Sequence, residues 1–346
     1  MKIQNFEIGK ERSFIIAELS ANHNQNFDIA VNTIKAAKRA GADAIKLQTY
    51  TADTITIDCK SDEFKLKQGT IWDGKYLYDL YKEAYTPWEW HEQLFRVAKE
   101  EGLICFSSPF DKTAVDFLEN LNTPAYKIAS FEITDIPLIE YIASKGKPVI
   151  ISTGIAQIED IELALKTCRE AGNNKIVLLK CTSSYPAPLE EANLLTMQDM
   201  KQRFGVQVGL SDHTISSTAS VTAVALGAKV IEKHFILDRS IGGPDASFSM
   251  VASEFSEMVK MIRDVEKALG KVTYELSDKV RSSRNFSRSL FVVKDIKKGE
   301  EITEENVRSI RPGYGMHTKF LFDILGKRAA LDLQRGTPMK SEYILL

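Results

Sequence analysis

Residues 148–182 read PVIISTGIAQIEDIELALKTCREAGNNKIVLLKCT, and this stretch decides the fold. A β-branched apolar run at 148–153 leads into an amphipathic segment at 158–172. A second apolar run follows at 175–182. Runs that are apolar along their whole length belong to strands covered on both faces, which is the setting of a parallel sheet. Two such strands joined by a helix make one strand–helix–strand unit.

Outward from this stretch the unit recurs. SFIIAEL (13–19), AIKLQTY (44–50), LICFSSP (103–109), AYKIAS (125–130), VQVGLSD (206–212) and VIEKHF (230–235) complete a set of eight runs. Between them, FDIAVNTIKAAKRAGAD places Phe27, Ala30, Ile34 and Ala37 on one helical face and stops at Gly41. TPWEWHEQLFRVAKEEG reads as a helix with Thr86 as N-cap and Pro87 at its first position, ending at Gly102. SSTASVTAVALGA (216–228) follows the same grammar. Eight units in about 260 residues have the rhythm of a (β/α)8 TIM barrel. A doubly wound open sheet is the competing fold. It expects a glycine-rich dinucleotide loop after the first strand, where Glu18-Leu19-Ser20-Ala21-Asn22 stands instead.

The pattern predicts a barrel over 1–270, a charged, Ser-containing linker over 271–286 and a small β-rich domain over 287–346. In that last segment VKDIKKGEEIT (293–303) and ALDLQRGTPMK (330–340) echo each other, which predicts a pseudo-repeat. The insertion at 51–85, rich in Tyr, lies on the active-site side of a barrel. It reads as a lid or substrate wall, with packing filler as the alternative.

Composition narrows the function classes. The 346 residues carry 45 Lys and Arg against 47 Asp and Glu, a formal charge of -2. That balance argues against a protein that coats nucleic acid or a membrane surface. No apolar run approaches the ~20 residues of a membrane span. The charged N-terminal stretch does not read as an export signal. Cys59, Cys105, Cys168 and Cys181 show no short paired spacing and read as reduced thiols, so a cytoplasmic protein is expected.

Chemistry collects where the strands end. The ends carry Glu18; Lys46 and Gln48; Ser108; Lys127, Ser130 and Glu132; Ser152; Lys180 and Tyr185; Ser211 and His213; Glu232 and His234. Alternation puts Lys46 with Gln48, and Glu232 with His234, on one side of their strands. His213 and His234 end neighbouring strands, close enough to share a cation such as Mn2+, Fe2+, Co2+ or Zn2+. Lysines are costly inside an apolar barrel unless paired. Lys46 and Lys127 with the serine hydroxyls read as a site for a small polyanion, a phosphate ester or phosphocarboxylate. Two alternatives stand: structural pairing of the lysines with Glu18 and Glu132, and Schiff-base chemistry on one lysine, as in an aldolase. Gly242-Gly243-Pro244-Asp245 reads either as a sugar-hydroxyl loop or as a turn with a helix N-cap.

Taken in order, these motifs resemble the sialic acid synthase family, whose members condense phosphoenolpyruvate with an N-acetylated amino sugar. The resemblance rests on Glu18-Leu19-Ser20-Ala21-Asn22-His23, Lys46-Leu47-Gln48-Thr49, Ser107-Ser108-Pro109-Phe110-Asp111, Tyr126-Lys127-Ile128-Ala129-Ser130, Cys181-Thr182-Ser183-Ser184-Tyr185-Pro186, Gly209-Leu210-Ser211-Asp212-His213 and Glu232-Lys233-His234-Phe235. The C-terminal segment, with Arg311-Pro312-Gly313, is similar to that family's antifreeze-like (SAF) domain. The resemblance implies a divalent metal on His213 and His234, usually Mn2+, with Mg2+ or Co2+ as alternatives. It implies phosphoenolpyruvate held by Lys46, Ser108, Lys127, Ser130, Ser152 and Ser211. It implies an acetamido sugar facing Glu18, Gln48, Tyr185 and Asp245, with Glu132 working near the metal-bound water. Catalytic roles then fall to Glu18, Glu132, Lys46 and Lys127. It further implies a domain-swapped homodimer in which Arg311 reaches the partner's sugar site, and a product used in surface-glycan or flagellin modification. Ser20, Ser183 and Ala246 depart from the N-acetylneuraminate branch. With Ile71-Trp72-Asp73 they look like the branch that makes pseudaminic acid from a 6-deoxy diacetamido altrose. The neuraminate and legionaminate branches are the alternatives.

Overall fold

Eight parallel strands close into a barrel in the order of the sequence. They are Phe14–Glu18, Ala44–Thr49, Ile104–Pro109, Tyr126–Ile128, Val149–Ser152, Ile176–Cys181, Gln207–Asp212 and Val230–His234. The eighth strand pairs with the first, setting His234 opposite Glu18 and closing the ring. The computed structural model describes residues 1–346 apart from Glu11, Gln68 and Leu346. The chain divides into two units, Met1–Gly270 and Lys271–Leu346.

Strand alternation builds two apolar layers. Ile15, Ala17, Ile45, Leu47, Ile151 and Leu178 face outward into the cluster shared with the helices. Phe14, Ile16, Phe106, Ile150, Val177 and Leu179 fill the interior. An N-terminal hairpin, Lys2–Ile3 against Phe6–Glu7, adds Ile3 and Ile8 to that inner cluster, and the Phe6 ring lies 4.7 Å from that of Phe14. The barrel is therefore plugged where its strands begin, and polar side chains enter only towards the strand ends. Gly209 marks how tight the inner layer is. A Cβ there would lie 2.2 Å from the Val230 carbonyl oxygen and 2.8 Å from a Leu179 methyl.

The helices follow local sequence. Asn26 caps Phe27–Arg39 by accepting from the Asp28 and Ile29 amides, and Ala30, Ile34 and Ala37 are buried on its inner face. The expectation for Thr86 is corrected. Pro87, with extended ψ, is itself the cap of Trp88–Glu100. Thr86 is buried with its hydroxyl on His23 Nε2 at 3.2 Å. The histidine captured the hydroxyl that a helix cap would have used.

In the second unit, Ser289–Val292 and Val307–Ile310 pair antiparallel over a core that includes Leu290, Ile302 and Met339. The stretch 271–286 is exposed throughout and carries a short helix, Asp278–Ser283. The two echoing phrases bond to each other. Ile296 and Leu333 exchange backbone hydrogen bonds at 2.9 and 2.8 Å. Asp295 accepts from the Arg335 amide and Asp332 from the Lys298 amide. Gly299 and Gly336 take matching left-handed turns, at φ 83 and 90. The repeat is a local two-fold in which each phrase's aspartate stops the other's turn.

Gly209→Ala should destabilise the barrel by about 3 kcal/mol or leave it insoluble, because the added methyl meets backbone that cannot retreat. Urea unfolding of the full chain checks this, and a midpoint unchanged from the parent contradicts the packing described.

Candidate active site

The polar layer begins one step above the apolar plug. Glu18, Lys46, Lys127 and Glu232 all point inward from four strands and are 3% exposed or less. Lys46 Nζ lies 3.0 Å from Glu18 Oε2 and 3.1 Å from Glu232 Oε2. Lys127 Nζ lies 3.4 Å from Glu232 Oε1 and donates to Ser152 Oγ at 2.7 Å. Ser211 donates to Glu232 Oε1 at 2.9 Å, and Gln48 donates to Glu18 Oε1 at 3.0 Å. Two cations and two anions thus form a buried quartet, linked in the order Glu18–Lys46–Glu232–Lys127.

Burial alone would neutralise the carboxylates. Lys46 and His234 beside Glu18, and Lys127 and Lys46 beside Glu232, overcome it and hold both below the usual carboxylate range. Lys46 is buried too, yet its two carboxylates raise it above an ordinary lysine. Lys127 has Glu232 alone at close range, and burial wins, lowering it. Glu132 stands apart from the quartet. Burial pushes its carboxyl up to about 7 against the pull of Lys127, and its Oε2 is buried without a hydrogen-bond partner.

Above the quartet opens a cavity of about 310 Å3. Its lining brings together Glu18, Lys46, Gln48, Lys127, Ser130, Glu132, Ser152, Tyr185, Ser211, His213, His234 and Asp245 from the residues read in the sequence. Ser130 accepts from the Gly154 amide at 3.1 Å. Ser108 is in register with Gln48 and buried, but it is not among the lining residues, and its hydroxyl has no partner. Arg311 belongs to the second unit, one residue past the strand Val307–Ile310. Asp245 of the glycine-rich loop stands at the N-cap position of a short 3-10 turn, Ala246–Phe248. Asp245 makes no capping bond and lines the cavity. The insertion 51–85 supplies wall residues Ile55, Trp72, Leu80, Tyr81 and Ala84. Trp72 Nε1 donates to the Pro244 carbonyl at 3.0 Å, and its ring lies 5.4 Å from that of Tyr185.

The two histidines meet at the rim with ring centroids 5.4 Å apart. His213 Nδ1–H donates to the Thr182 carbonyl at 3.0 Å, so the neutral ring carries its lone pair on Nε2, although against the effect of burial Cys181 and that carbonyl raise the imidazole to about 9. His234 Nδ1 is buried without a partner. Among the described residues no group of three or more His, Cys, Asp and Glu is placed to hold a metal. His213 and His234 offer two imidazole donors, one with an orphaned buried Nδ1, and a cation held there would take its remaining ligands from substrate and water. His23 and His91 are different. Both are buried with both ring nitrogens bonded, and burial lowers each to about 4.

The sequence reading sets Glu232 on the inward face beside His234 but gives it no role. The lysines' structural partners are Glu18 and Glu232, and not Glu132. The signal was present: two buried lysines need two inward carboxylates, and Glu232 shares its strand face with His234. Lys233 alternates to the other side and is neutralised by Asp212 at 3.0 Å.

Comparison with known proteins adds lineage to this geometry. Residues 33–274 match the model of the NeuB family, and residues 287–341 match the SAF domain. A pseudaminic acid synthase of Campylobacter jejuni is 50% identical over 98% of each chain. One from Helicobacter pylori is 48% identical over 95% of this chain and 97% of its own. Among solved structures, the spore coat polysaccharide biosynthesis protein SpsE of Bacillus subtilis superposes with a TM-score of 0.68 at 34% identity, covering 100% of this chain and 99% of its own.

The Glu132 carboxyl, ordinary when unfolded and raised when folded, holds its proton more tightly in the native state. Native stability from this group is full below about pH 4.5 and falls as pH rises to about 7. Glu132→Gln should remove that loss, so the drop in unfolding free energy from pH 5 to pH 8 shrinks by on the order of 2 kcal/mol. Denaturant melts of both proteins at the two pH values measure it, and equal drops contradict the assignment.

Proposed function

The chain belongs to the NeuB family, and from that premise we propose that it performs the pseudaminic acid synthase reaction, condensing phosphoenolpyruvate with 2,4-diacetamido-2,4,6-trideoxy-L-altrose. The observation that carries the reading is the pair of buried ammonium groups under an aromatic wall, in a chain 50% identical to an enzyme of that name. The reaction is a group transfer, and the enzyme is a transferase.

We assign the phosphate and carboxylate of phosphoenolpyruvate to Lys46, Lys127 and the hydroxyls of Ser130, Ser152 and Ser211, with Ser108 offering its unpartnered hydroxyl beneath them. Gln48, Glu18, Tyr185 and Asp245 face the sugar. Trp72, Tyr185 and Phe248 pack as one aromatic cluster, with centroids 5.2 to 6.4 Å apart, and this apolar side suits a sugar with a methyl group in place of a hydroxymethyl. Within the quartet two positive charges are already offset by two negative ones. A polyanion therefore gains little net attraction from these four groups alone, which favours an added cation. His213 and His234 would hold a divalent ion, Mn2+ with Mg2+ or Co2+ as alternatives, and when bound it supplies Lewis-acid polarisation of the sugar aldehyde.

The chain's own groups account for the remaining steps. The C2=C3 π pair of phosphoenolpyruvate forms the bond from C3 to the aldehyde carbon, and the aldehyde oxygen, its π bond opened, takes a proton from solvent to become a hydroxyl. C2 is left electron-poor. Water adds there and gives a proton to Glu132, whose carboxyl ionises near neutrality. The C–O bond of C2 to the phosphate then breaks as the new C2 hydroxyl becomes the keto group and gives its proton to the leaving phosphate, and the two ammonium groups stabilise the departing anion. The Schiff-base reading needs a neutral amine: two carboxylates hold Lys46 protonated, whereas burial lowers Lys127, which is the lysine such chemistry would use. We further propose a domain-swapped homodimer in which Arg311 serves the partner's sugar site. A cytoplasmic setting accords with four free cysteines.

Phosphate release from phosphoenolpyruvate with Mn2+ should require the diacetamido altrose and should not occur at a comparable rate with N-acetylmannosamine. Faster release with N-acetylmannosamine would return the chain to the neuraminate branch. The double variant His213→Ala/His234→Ala should lose at least about a thousandfold in turnover while keeping its circular dichroism. Near-normal turnover would remove the histidines from the reaction.

A further inference from the structure

Ser20 occupies a conformation that its side chain does not favour. It has φ 47, in the left-handed region where glycine is at ease and other residues are strained. It is also 2% exposed, so no solvent contact compensates. What it gains is one short hydrogen bond. Ser20 Oγ donates to Asp245 Oδ2 at 2.5 Å, across 225 residues of chain. A strained, buried serine whose hydroxyl meets a cavity-lining carboxylate points to a role for that hydroxyl in the site.

The rest of the loop shows what that role is. Residues 20–24 after the first strand are bolted to residues 241–249 after the eighth. Asn22 Nδ2 donates to Ser249 Oγ at 2.8 Å, Ser249 Oγ donates to the Asp245 carbonyl at 2.6 Å, and Asn24 Nδ2 donates to the Ile241 carbonyl at 3.2 Å. These bonds fix the loop backbone and leave the Asp245 side chain free to turn. Three groups stand near its Oδ2. Ser20 Oγ, at 2.5 Å, is bonded, whereas His234 Nδ1, at 3.7 Å, is too far to be. The Ala21 amide adds a weak contact at 3.4 Å to the same oxygen.

We infer that Ser20 is a positioning residue: its hydroxyl holds Asp245 Oδ2 away from His234 and presents Oδ1 to the hydroxyl and amide donors of the acetamido sugar. This rests on the reading of Asp245 as a sugar-facing group. Without the Ser20 hydroxyl the carboxylate turns to His234 Nδ1 and is lost to the sugar. The phosphoenolpyruvate groups, Lys46, Lys127 and the serines, make no contact with Ser20 in this network and keep their geometry.

Steady-state kinetics of Ser20→Ala and Ser20→Gly test the inference. Alanine removes the hydroxyl and keeps the backbone strain, while glycine removes both, so a backbone effect separates from a hydroxyl effect. Each variant is measured with the acetamido sugar that the parent enzyme turns over. Failure of the altrose with the parent enzyme therefore counts against the proposed substrate and not against Ser20. The expected result is a KM for the sugar raised about tenfold or more in both variants, with the KM for phosphoenolpyruvate within about twofold of the parent. Adding Ser20→Ala to Asp245→Asn should then cost no more than about twofold beyond Asp245→Asn alone. Equal rises in both KM values, a sugar KM unchanged in either variant, or an additive double variant would overturn it. Should one variant fail to fold, the other decides by the same criteria.

Discussion

Everything in the barrel unit is arranged around one buried quartet, Glu18–Lys46–Glu232–Lys127. Four ionised side chains in an apolar interior carry a desolvation cost of several kcal/mol each unless they are paired and hydrogen-bonded. Here all four are paired. Lys46 bridges both carboxylates, Lys127 joins Glu232 and Ser152, and Gln48 and Ser211 donate to Oε1 of Glu18 and of Glu232, while Glu232 Oε2 has the Lys46 charge at 3.1 Å and no hydrogen bond. The apolar plug below, from Ile3 and Phe14 up to Leu179, keeps water from that end, so the ammonium groups meet solvent and ligand from one side alone. A barrel filled to its top with leucine and isoleucine would be a better packed core and would bind no anion.

Most of this was legible in the sequence, and for an identifiable reason. A strand buried on both faces has no freedom in its side-chain alternation. Once the eight runs are placed, the inward set follows, and Lys46 with Gln48 and Glu232 with His234 fall on the cavity side as expected. What was misread lies where alternation stops. Glu132 sits beyond its strand in a short helical turn, Ser130–Glu132, so pairing it with a lysine had no periodicity behind it. Glu232 was the partner instead. Thr86 failed as a helix cap because a distant histidine, His23, claimed its hydroxyl. His23 leaves no trace in the sequence around Thr86, whereas Glu232 was marked by the strand face it shares with His234. Trp72 was noted as part of a motif, but its role as a wall residue depends on a hydrogen bond to Pro244, 172 residues away.

The second unit makes a related point on a smaller scale. Its repeated phrases were visible as an echo of Asp, apolar residue, two polar residues and Gly. The structure supplies the reason for the spacing, because each aspartate must reach the amide three residues beyond the other's, one step before the turning glycine. The pattern is a capping requirement read twice.

The central claim is that the lysines of the quartet receive the phosphocarboxylate. Calorimetric titration of phosphoenolpyruvate with Mn2+ present, into the parent protein and Lys127→Met, addresses it most directly. Glu232 keeps Lys46 as its partner in that variant, so the fold has a counter-charge to retain. The account predicts an affinity at least about tenfold weaker in the folded variant, the loss of one charge-assisted contact. An unchanged affinity would contradict it and place the anion elsewhere in the barrel.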